Sequence, residues 1–177
     1  MINQLKEKII KSGGFVNAHA HFDRAYTVHS FSEKERKLHL HEKWKLNDRF
    51  KKTASVHCYQ QNIEKSVQNQ IDFGVNTACT FVDLDNITQS AALCAARHVK
   101  IDCADKFDLR IACQTIKGVL DHEQRRLLDM WAEELDIIGS LPAADKDVST
   151  HLDVVMNVAK KHNKRLHVHV DQLNHPS

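Results

Sequence analysis

The feature that most constrains the fold of this chain is a regular alternation of short apolar runs with longer amphipathic segments. Strands separated by helices of about ten or more residues pair in parallel, since each crossover returns the chain to the same edge of the sheet. The pattern therefore predicts an α/β fold, either the first part of a (β/α)8 barrel or a doubly wound sheet. The predicted strands are 15–18, 76–82, 107–113, 135–141 and 165–170, and the predicted helices are 2–11, 55–73, 88–100, 121–134 and 147–162.

One long segment departs from this alternation. Residues 32–52 are dense in Lys, Glu, Arg and His with single apolar residues interspersed, which predicts a long connection with helical pieces. The histidines on or near it match no closed metal site and are interpreted as surface residues: His29, His39, His41 and His57.

No Gly-x-Gly-x-x-Gly or P-loop follows the first strand, which argues against a doubly wound nucleotide-binding protein.

Composition excludes several classes of protein. A hydrophobic fraction of 42% in 177 residues suits one globular domain with a real core. The net charge of +2 is too small to indicate nucleic acid or an anionic membrane as a partner. No apolar run approaches the roughly 20 residues of a transmembrane helix. The five cysteines form no Cys-x-x-Cys pair and residues 1–8 are charged, so we expect a reduced, cytoplasmic protein.

Polar side chains gather where the predicted strands end. His19 and His21 follow the first strand two residues apart, and side chains at i and i+2 of a strand point to the same face. Both candidate folds place function at the carboxyl ends of their strands, where His169 would supply the third ligand of a catalytic metal site. The polar residues at these ends are His19, His21, Asp23, Asp83, Asp85, Gln114, Thr115, His169, Asp171 and Gln172.

Five short motifs, in register with the predicted strands, resemble the amidohydrolase superfamily and within it the cytosine deaminase-like branch. They are His19-Ala-His21-Phe-Asp23, Thr80-Phe-Val-Asp83, Asp108-Leu-Arg-Ile111, Asp136-Ile-Ile-Gly139-Ser-Leu-Pro142 and His169-Val-Asp171-Gln172. The resemblance covers nearly the whole chain. It implies a partial (β/α)8 TIM barrel, with a parallel sheet of five strands and helices outside. Residues 1–177 would form the N-terminal part of that barrel, with no separate second domain.

The resemblance also implies a chemistry. By position, His19, His21 and His169 look like the ligands of one divalent metal ion, Zn or Fe(II). The strand-four position that carries a carboxylated lysine in binuclear relatives falls at Ile138-Gly139 here, which favours a single ion. The implied reaction is hydrolysis of an amidine or cyclic amide in a small heterocyclic substrate, in which a metal-activated water attacks carbon and ammonia or an amine leaves.

The chain departs from the family at several positions. The strand-six histidine and strand-eight aspartate of the family have no counterpart in these residues. Gln172 stands where many relatives place a proton-shuttling glutamate, and a glutamine can orient substrate but cannot titrate. The pyrimidine-reading glutamine of cytosine deaminase aligns with Ile116, and Gln114 lies two residues earlier.

Several roles stay open at this point. Gln114, Ile116 and Asp83 are candidate substrate contacts, although Asp83 could equally serve as a hydrogen-bonding residue of the rim. His167 is either a partner of the metal ligands or a hydrogen-bonded interior histidine. The chain as a whole is either part of a metal-dependent hydrolase or deaminase, or a non-catalytic metal-binding or assembly domain. In either case we expect self-association through exposed sheet edges, or pairing with a C-terminal half outside these residues.

Overall fold

A computed structural model describes residues 2–171 of the chain. Five strands alternate with seven α-helices, and short 3₁₀ turns occur at Thr27–Ser30, Ala132–Glu134 and Pro142–Ala144. The strands are β1 (Phe15–Ala20), β2 (Val75–Asp83), β3 (Asp108–Gln114), β4 (Ile137–Ser140) and β5 (Arg165–Val168). The helices are α1 (Ile2–Lys11), α2 (Glu33–Arg36), α3 (Leu40–Thr53), α4 (Val56–Asp72), α5 (Ala91–Asp102), α6 (His122–Trp131) and α7 (Val148–Lys161).

All five strands form one parallel sheet in the order β1-β2-β3-β4-β5. A doubly wound sheet reverses its strand order at a switch point, whereas a barrel adds each new strand beside the preceding one. The sequential order and the curled sheet confirm the predicted partial (β/α)8 barrel.

The two faces of the sheet differ in what they bury. The outer face packs on the helices, in one large cluster that includes Ile63, Leu93 and Ile111, each with no exposed surface. The inner face holds a small separate cluster of Cys79, Phe81 and Ala112, joined by Ile137. Each fully buried large aliphatic side chain stabilises the fold by about 1.5–3 kcal/mol, so most of the stabilisation lies between sheet and helices.

Capping side chains explain where the helices begin. Asp121 is the N-cap of α6, since it accepts hydrogen bonds from the backbone N–H groups of Glu123 and Gln124. Asp147 is the N-cap of α7 and accepts a hydrogen bond from the backbone N–H of Thr150. Helix α5 begins at Ala91 rather than at 88, because Asp85 accepts hydrogen bonds from the backbone of Ile87 and Thr88 and holds them in a turn.

Two segments bear on the position of the site and on its surroundings. The charged segment contains a continuous 14-residue helix, α3, which is more regular than the predicted connection. At the edge of the sheet, β1 leaves Phe15 and Val16 52% and 68% exposed.

Among residues 2–171, no helix combines the length and the apolar character needed to cross a lipid bilayer.

Candidate metal centre

Three histidines converge at the carboxyl ends of the outer strands. His19 lies within β1, His21 directly follows it, and His169 directly follows β5. One ring nitrogen of each lies within 4.8 Å of the others. The structure therefore brings together, at one edge of the sheet, the three residues that the sequence selects as ligands.

An aromatic side chain forms the floor beneath these rings. Phe81 of β2 is fully buried, and its ring centroid lies 4.4 Å from that of His19 and 4.8 Å from that of His169. The ring of His167 also contacts Phe81, at 4.7 Å, and lies 5.3 Å from His19. Phe81 thus closes the interior of the sheet below the site, and His167 shares the inner face with the candidate ligands.

His169 is oriented by the backbone of β4. Its Nδ1 lies 3.1 Å from the carbonyl oxygen of Ser140, which also accepts a hydrogen bond from the His169 backbone N–H at 2.9 Å. A carbonyl oxygen only accepts, so Nδ1 carries the proton and the lone pair is on Nε2. That Nε2 is buried and has no hydrogen-bond partner. Metal-ligating histidines usually donate their other N–H in this way, so His169 fits a metal ligand.

His21 has a different kind of partner. The guanidinium of Arg24 lies 2.8 Å from its Nδ1, and a guanidinium only donates hydrogen bonds. In this geometry Nδ1 is the acceptor and the neutral ring carries its proton on Nε2. Burial, followed by the charge of Arg24, lowers the pKa of His21 to about 3, so the ring is neutral. His21 offers a ligand atom only if Arg24 releases Nδ1 or the proton leaves Nε2.

A buried ionic network supports Arg24. Arg24 lies 3.3 Å from Asp83, and the ammonium of Lys51 lies 2.7 Å from Asp83 and 2.6 Å from Asp85. Burial alone would lower the pKa of Lys51, but the two carboxylates outweigh it and raise that pKa. Asp23 accepts a hydrogen bond from the Asp83 backbone N–H. Its pKa is raised to about 6, mainly by burial and then by Asp83.

Known proteins are similar to this chain over most of its length. An uncharacterized protein of Haemophilus influenzae is 40% identical over 180 residues, which cover 98% of this chain and 64% of that protein. The N-isopropylammelide isopropyl amidohydrolase of Pseudomonas sp. (strain ADP) is 24% identical over 92% of this chain and 42% of its own length. No family model matches the chain.

Solved structures place the fold more closely. The 5-methylcytosine deaminase of Klebsiella pneumoniae, liganded with 5-fluorocytosine, superposes with a TM-score of 0.83 and 25% identity over 93% of this chain. The predicted resemblance to the amidohydrolase superfamily is confirmed. An N-isopropylammelide isopropylaminohydrolase of Burkholderia multivorans shares the fold, with a TM-score of 0.73 at 20% identity. The chain spans only 40% of each of these two structures, as expected for the N-terminal part of an amidohydrolase barrel.

The candidate substrate contacts fall into distinct environments. Gln114 pairs in register with Asp83 at the ends of β3 and β2. It is buried, and neither atom of its side-chain amide has a hydrogen-bond partner. Ile116 is buried in the loop after β3, and Asp83 is bound to Lys51 and Arg24. Gln172 lies outside the described residues.

Sequence reasoning missed the residues that support the site. Lys51 lies in a charged segment that is typical of a solvent-exposed helix, and Phe81 lies in an apolar run that is typical of any buried strand. Arg24 directly follows the first motif, and its position there was the one signal in the sequence for a supporting role.

The strands β3 and β4 approach each other closely at Gly139, where a Cβ atom would overlap the carbonyl oxygen of Cys113. No side chain can therefore enter the site from position 139.

Proposed function

We propose that this chain contributes the N-terminal part of a metal-dependent hydrolase that acts on C–N bonds of a small heterocycle. His19, His21 and His169 would hold one divalent ion, Zn²⁺ or Fe²⁺. The observation that carries the proposal is the convergence of these three rings within 4.8 Å, with the buried Nε2 of His169 lacking any partner. Three histidines with a further open position are the donor set of several catalytic zinc sites.

The site favours one ion over two. A second ion in related barrels is bridged by a side chain from strand four, and position 139 has no room for one. The neighbouring Ile138 is fully buried in the outer core between sheet and helices. Three imidazoles without a bridging carboxylate match a single borderline-soft ion.

Gln114 is proposed to bind the substrate. Its side chain shares the inner face of β3 with Ala112, because residues two apart on a strand point the same way. A buried amide without partners costs about 1–3 kcal/mol, which a ligand with matching groups would recover. The adjacent N–H donor and C=O acceptor of a cyclic amide match that amide group, as do the N–H donor and the imine nitrogen of an amidine. Ile116 would supply an apolar contact beside it.

The chain's own residues divide the work around such an ion. When bound, the ion would act as a Lewis acid and would make water a nucleophile near neutral pH. Phe81 closes the floor and limits the entry of other water, His169 is held in one orientation by Ser140, and Gln114 orients the substrate. Gln172 is proposed to orient substrate by hydrogen bonds, since it cannot move a proton.

Metal content tests the proposal directly. The purified chain, dialysed against Zn²⁺ or Fe²⁺ and then against buffer, should retain about one equivalent by elemental analysis, as a three-histidine site requires. His19→Ala and His169→Ala should each abolish the retained metal. His162→Ala, which removes a histidine held by surface carboxylates, should leave it unchanged. Equal metal content in all four proteins would contradict the proposal.

A second candidate is a non-catalytic metal-binding or assembly domain of the same fold. It is favoured by Gln172, which cannot shuttle protons, and by the exposed Phe15 and Val16 on β1. In this case the chain would self-associate through that edge or pair with a C-terminal half. Ammonia release from aminopyrimidines and ring opening of cyclic amides distinguish the two candidates, because only the hydrolase turns over. A monomer at every concentration in sedimentation would contradict assembly through the edge.

A further inference from the structure

A second polar cluster lies behind the candidate metal centre, on the outer side of β4. The hydroxyl of Ser140 lies 2.9 Å from Nε2 of His151, and Nδ1 of His151 lies 2.6 Å from a carboxylate oxygen of Asp145. Ser140 and His151 have no exposed surface, and the Asp145 side chain is 11% exposed. No substrate can reach the Ser140 hydroxyl, so this arrangement is not a nucleophilic triad despite its composition.

The proton positions in this cluster follow from its partners. The Asp145 carboxylate only accepts, so Nδ1 of His151 carries a proton, and Nε2 forms the second hydrogen bond of this ring with the Ser140 hydroxyl. The same Asp145 oxygen accepts from the backbone N–H groups of Val119 and Leu120, at 2.7 and 3.3 Å. Charge-assisted hydrogen bonds of this kind are about twice as strong as neutral ones, which makes Asp145 a firm anchor.

The loop after β3 is shaped to receive that carboxylate. Gly118 has φ of +78°, and a Cβ atom at this position would overlap the Asp145 carboxylate. A second tether lies nearby, because the Thr115 hydroxyl accepts a hydrogen bond from the backbone N–H of Leu141 at 2.8 Å. The loop that carries Ile116 is therefore fixed to the end of β4 at two points.

Ser140 joins this cluster to the candidate metal centre. Its hydroxyl contacts His151, while its carbonyl oxygen accepts from both the backbone N–H and Nδ1–H of His169. We propose that Asp145 is a positioning residue that acts through His151 and Ser140 to fix His169 as the Nδ1–H tautomer. Through Val119 and Leu120, the same carboxylate holds the substrate-binding loop in a constant relation to His169. The inference rests on the proposed function, because the residue that Asp145 orients, His169, is a ligand of the proposed ion.

The tautomer of His169 provides a test that needs no activity. Ring ¹⁵N shifts of His169 are measured in the full 177-residue chain with a chelator present. We expect the minor Nε2–H tautomer to rise in Asp145→Asn and in Ser140→Ala, by no more than about tenfold, because the Ser140 carbonyl stays in place and only its support is lost. Complete loss of one buried hydrogen bond would correspond to about two- to tenfold. The control is Asp147→Ala, which removes the N-cap of α7 two residues away and costs about 1 kcal/mol of stability. The control should leave the tautomer unchanged.

Metal affinity separates this inference from the proposed function. Zn²⁺ titration should show about tenfold weaker binding in Asp145→Asn and no change in Asp147→Ala, the size typical of losing an outer hydrogen-bond partner. A shifted tautomer in a chain that binds no metal supports the inference and contradicts the proposed function. Metal binding by the wild-type chain with an unshifted tautomer in Asp145→Asn overturns the inference alone. If Asp145→Asn fails to fold, Ser140→Ala, which removes one hydroxyl, decides the question in the same way.

Discussion

His169 and His21 lie on opposite sides of the candidate metal centre, with ring centroids 5.8 Å apart, and their partners are of opposite kinds. The carbonyl of Ser140 accepts a hydrogen bond from Nδ1–H of His169, which leaves the Nε2 lone pair of that ring available. The guanidinium of Arg24 donates to His21 and occupies its Nδ1 lone pair. A metal ion could bind His169 without any rearrangement, whereas at His21 it must compete with Arg24. The difference shows that close approach of three rings is not sufficient: tautomers decide which nitrogen atoms can ligate.

The two sides also differ in how they are stabilised. On the β4–β5 side, a backbone carbonyl and a fully buried neutral serine position the ring, and the Asp145 carboxylate contacts that serine only through His151. On the β1–β2 side, formal charges do so, since Arg24 and Lys51 bind Asp83 in the interior. Buried charges are costly unless they are paired, so the second side should be the more sensitive to substitution.

Removal of Lys51 should give the largest effect. Lys51→Met leaves Asp83 and Asp85, both nearly fully buried, with one fewer cation between them. Breaking a buried pair from one side costs about 3–5 kcal/mol, which urea unfolding would measure. Lys161→Met, which removes an exposed pair with Asp129, should cost less than about 1 kcal/mol. A similar small loss in both variants would show that the network on the β1–β2 side carries little stability.

Replacement of Arg24 tests the competition directly. Arg24→Met frees Nδ1 of His21 and removes a positive charge from the site, so Zn²⁺ affinity should rise about tenfold. That factor corresponds to about 1.4 kcal/mol, the lower end for a hydrogen bond to a charged group. Arg24→Lys retains the charge without the guanidinium fork and should give an intermediate affinity in the same titration. Weaker binding in Arg24→Met would mean instead that Arg24 organises His21 for ligation.

The architecture was largely predictable because it depends on local patterns. The short apolar strands, the glycine at position 74 after α4 and the capping aspartates each depend on neighbours within a few residues in the sequence. The His19/His21 pair follows from strand geometry alone. His169 followed from the rule that parallel strands end at one edge, together with the family resemblance.

The supporting residues were not predictable, because their contacts join distant positions. Nothing near Lys51 in the sequence indicates Asp83 and Asp85, 32 and 34 residues further on. The tautomers of His21 and His169 depend on Arg24 and on a carbonyl of another strand, which no periodicity encodes. The sequence thus predicts which rings come together, whereas contacts between distant residues determine which nitrogen atom of each ring carries the proton.

His162, far from the candidate metal centre, extends the comparison and should give the smallest effect. His162 lies 2.7 Å from Glu133 and 3.0 Å from Asp129, and these carboxylates raise its pKa, whereas burial lowers that of His21. A raised pKa in the folded state stabilises the protein below the unfolded value of about 6.5, and the contribution is lost as pH rises through the folded pKa. Because both carboxylates are largely exposed, the contribution should stay below about 1 kcal/mol.

Urea unfolding between pH 5 and 9, compared for the wild-type chain and His162→Gln, measures this term. The wild type should be more stable at the acid end, and the difference should disappear toward the alkaline end. A difference that is constant with pH would mean that His162 contributes packing rather than charge. His162 would then behave as a neutral ring, like the histidines of the candidate metal centre, and not as a charged ring held by carboxylates.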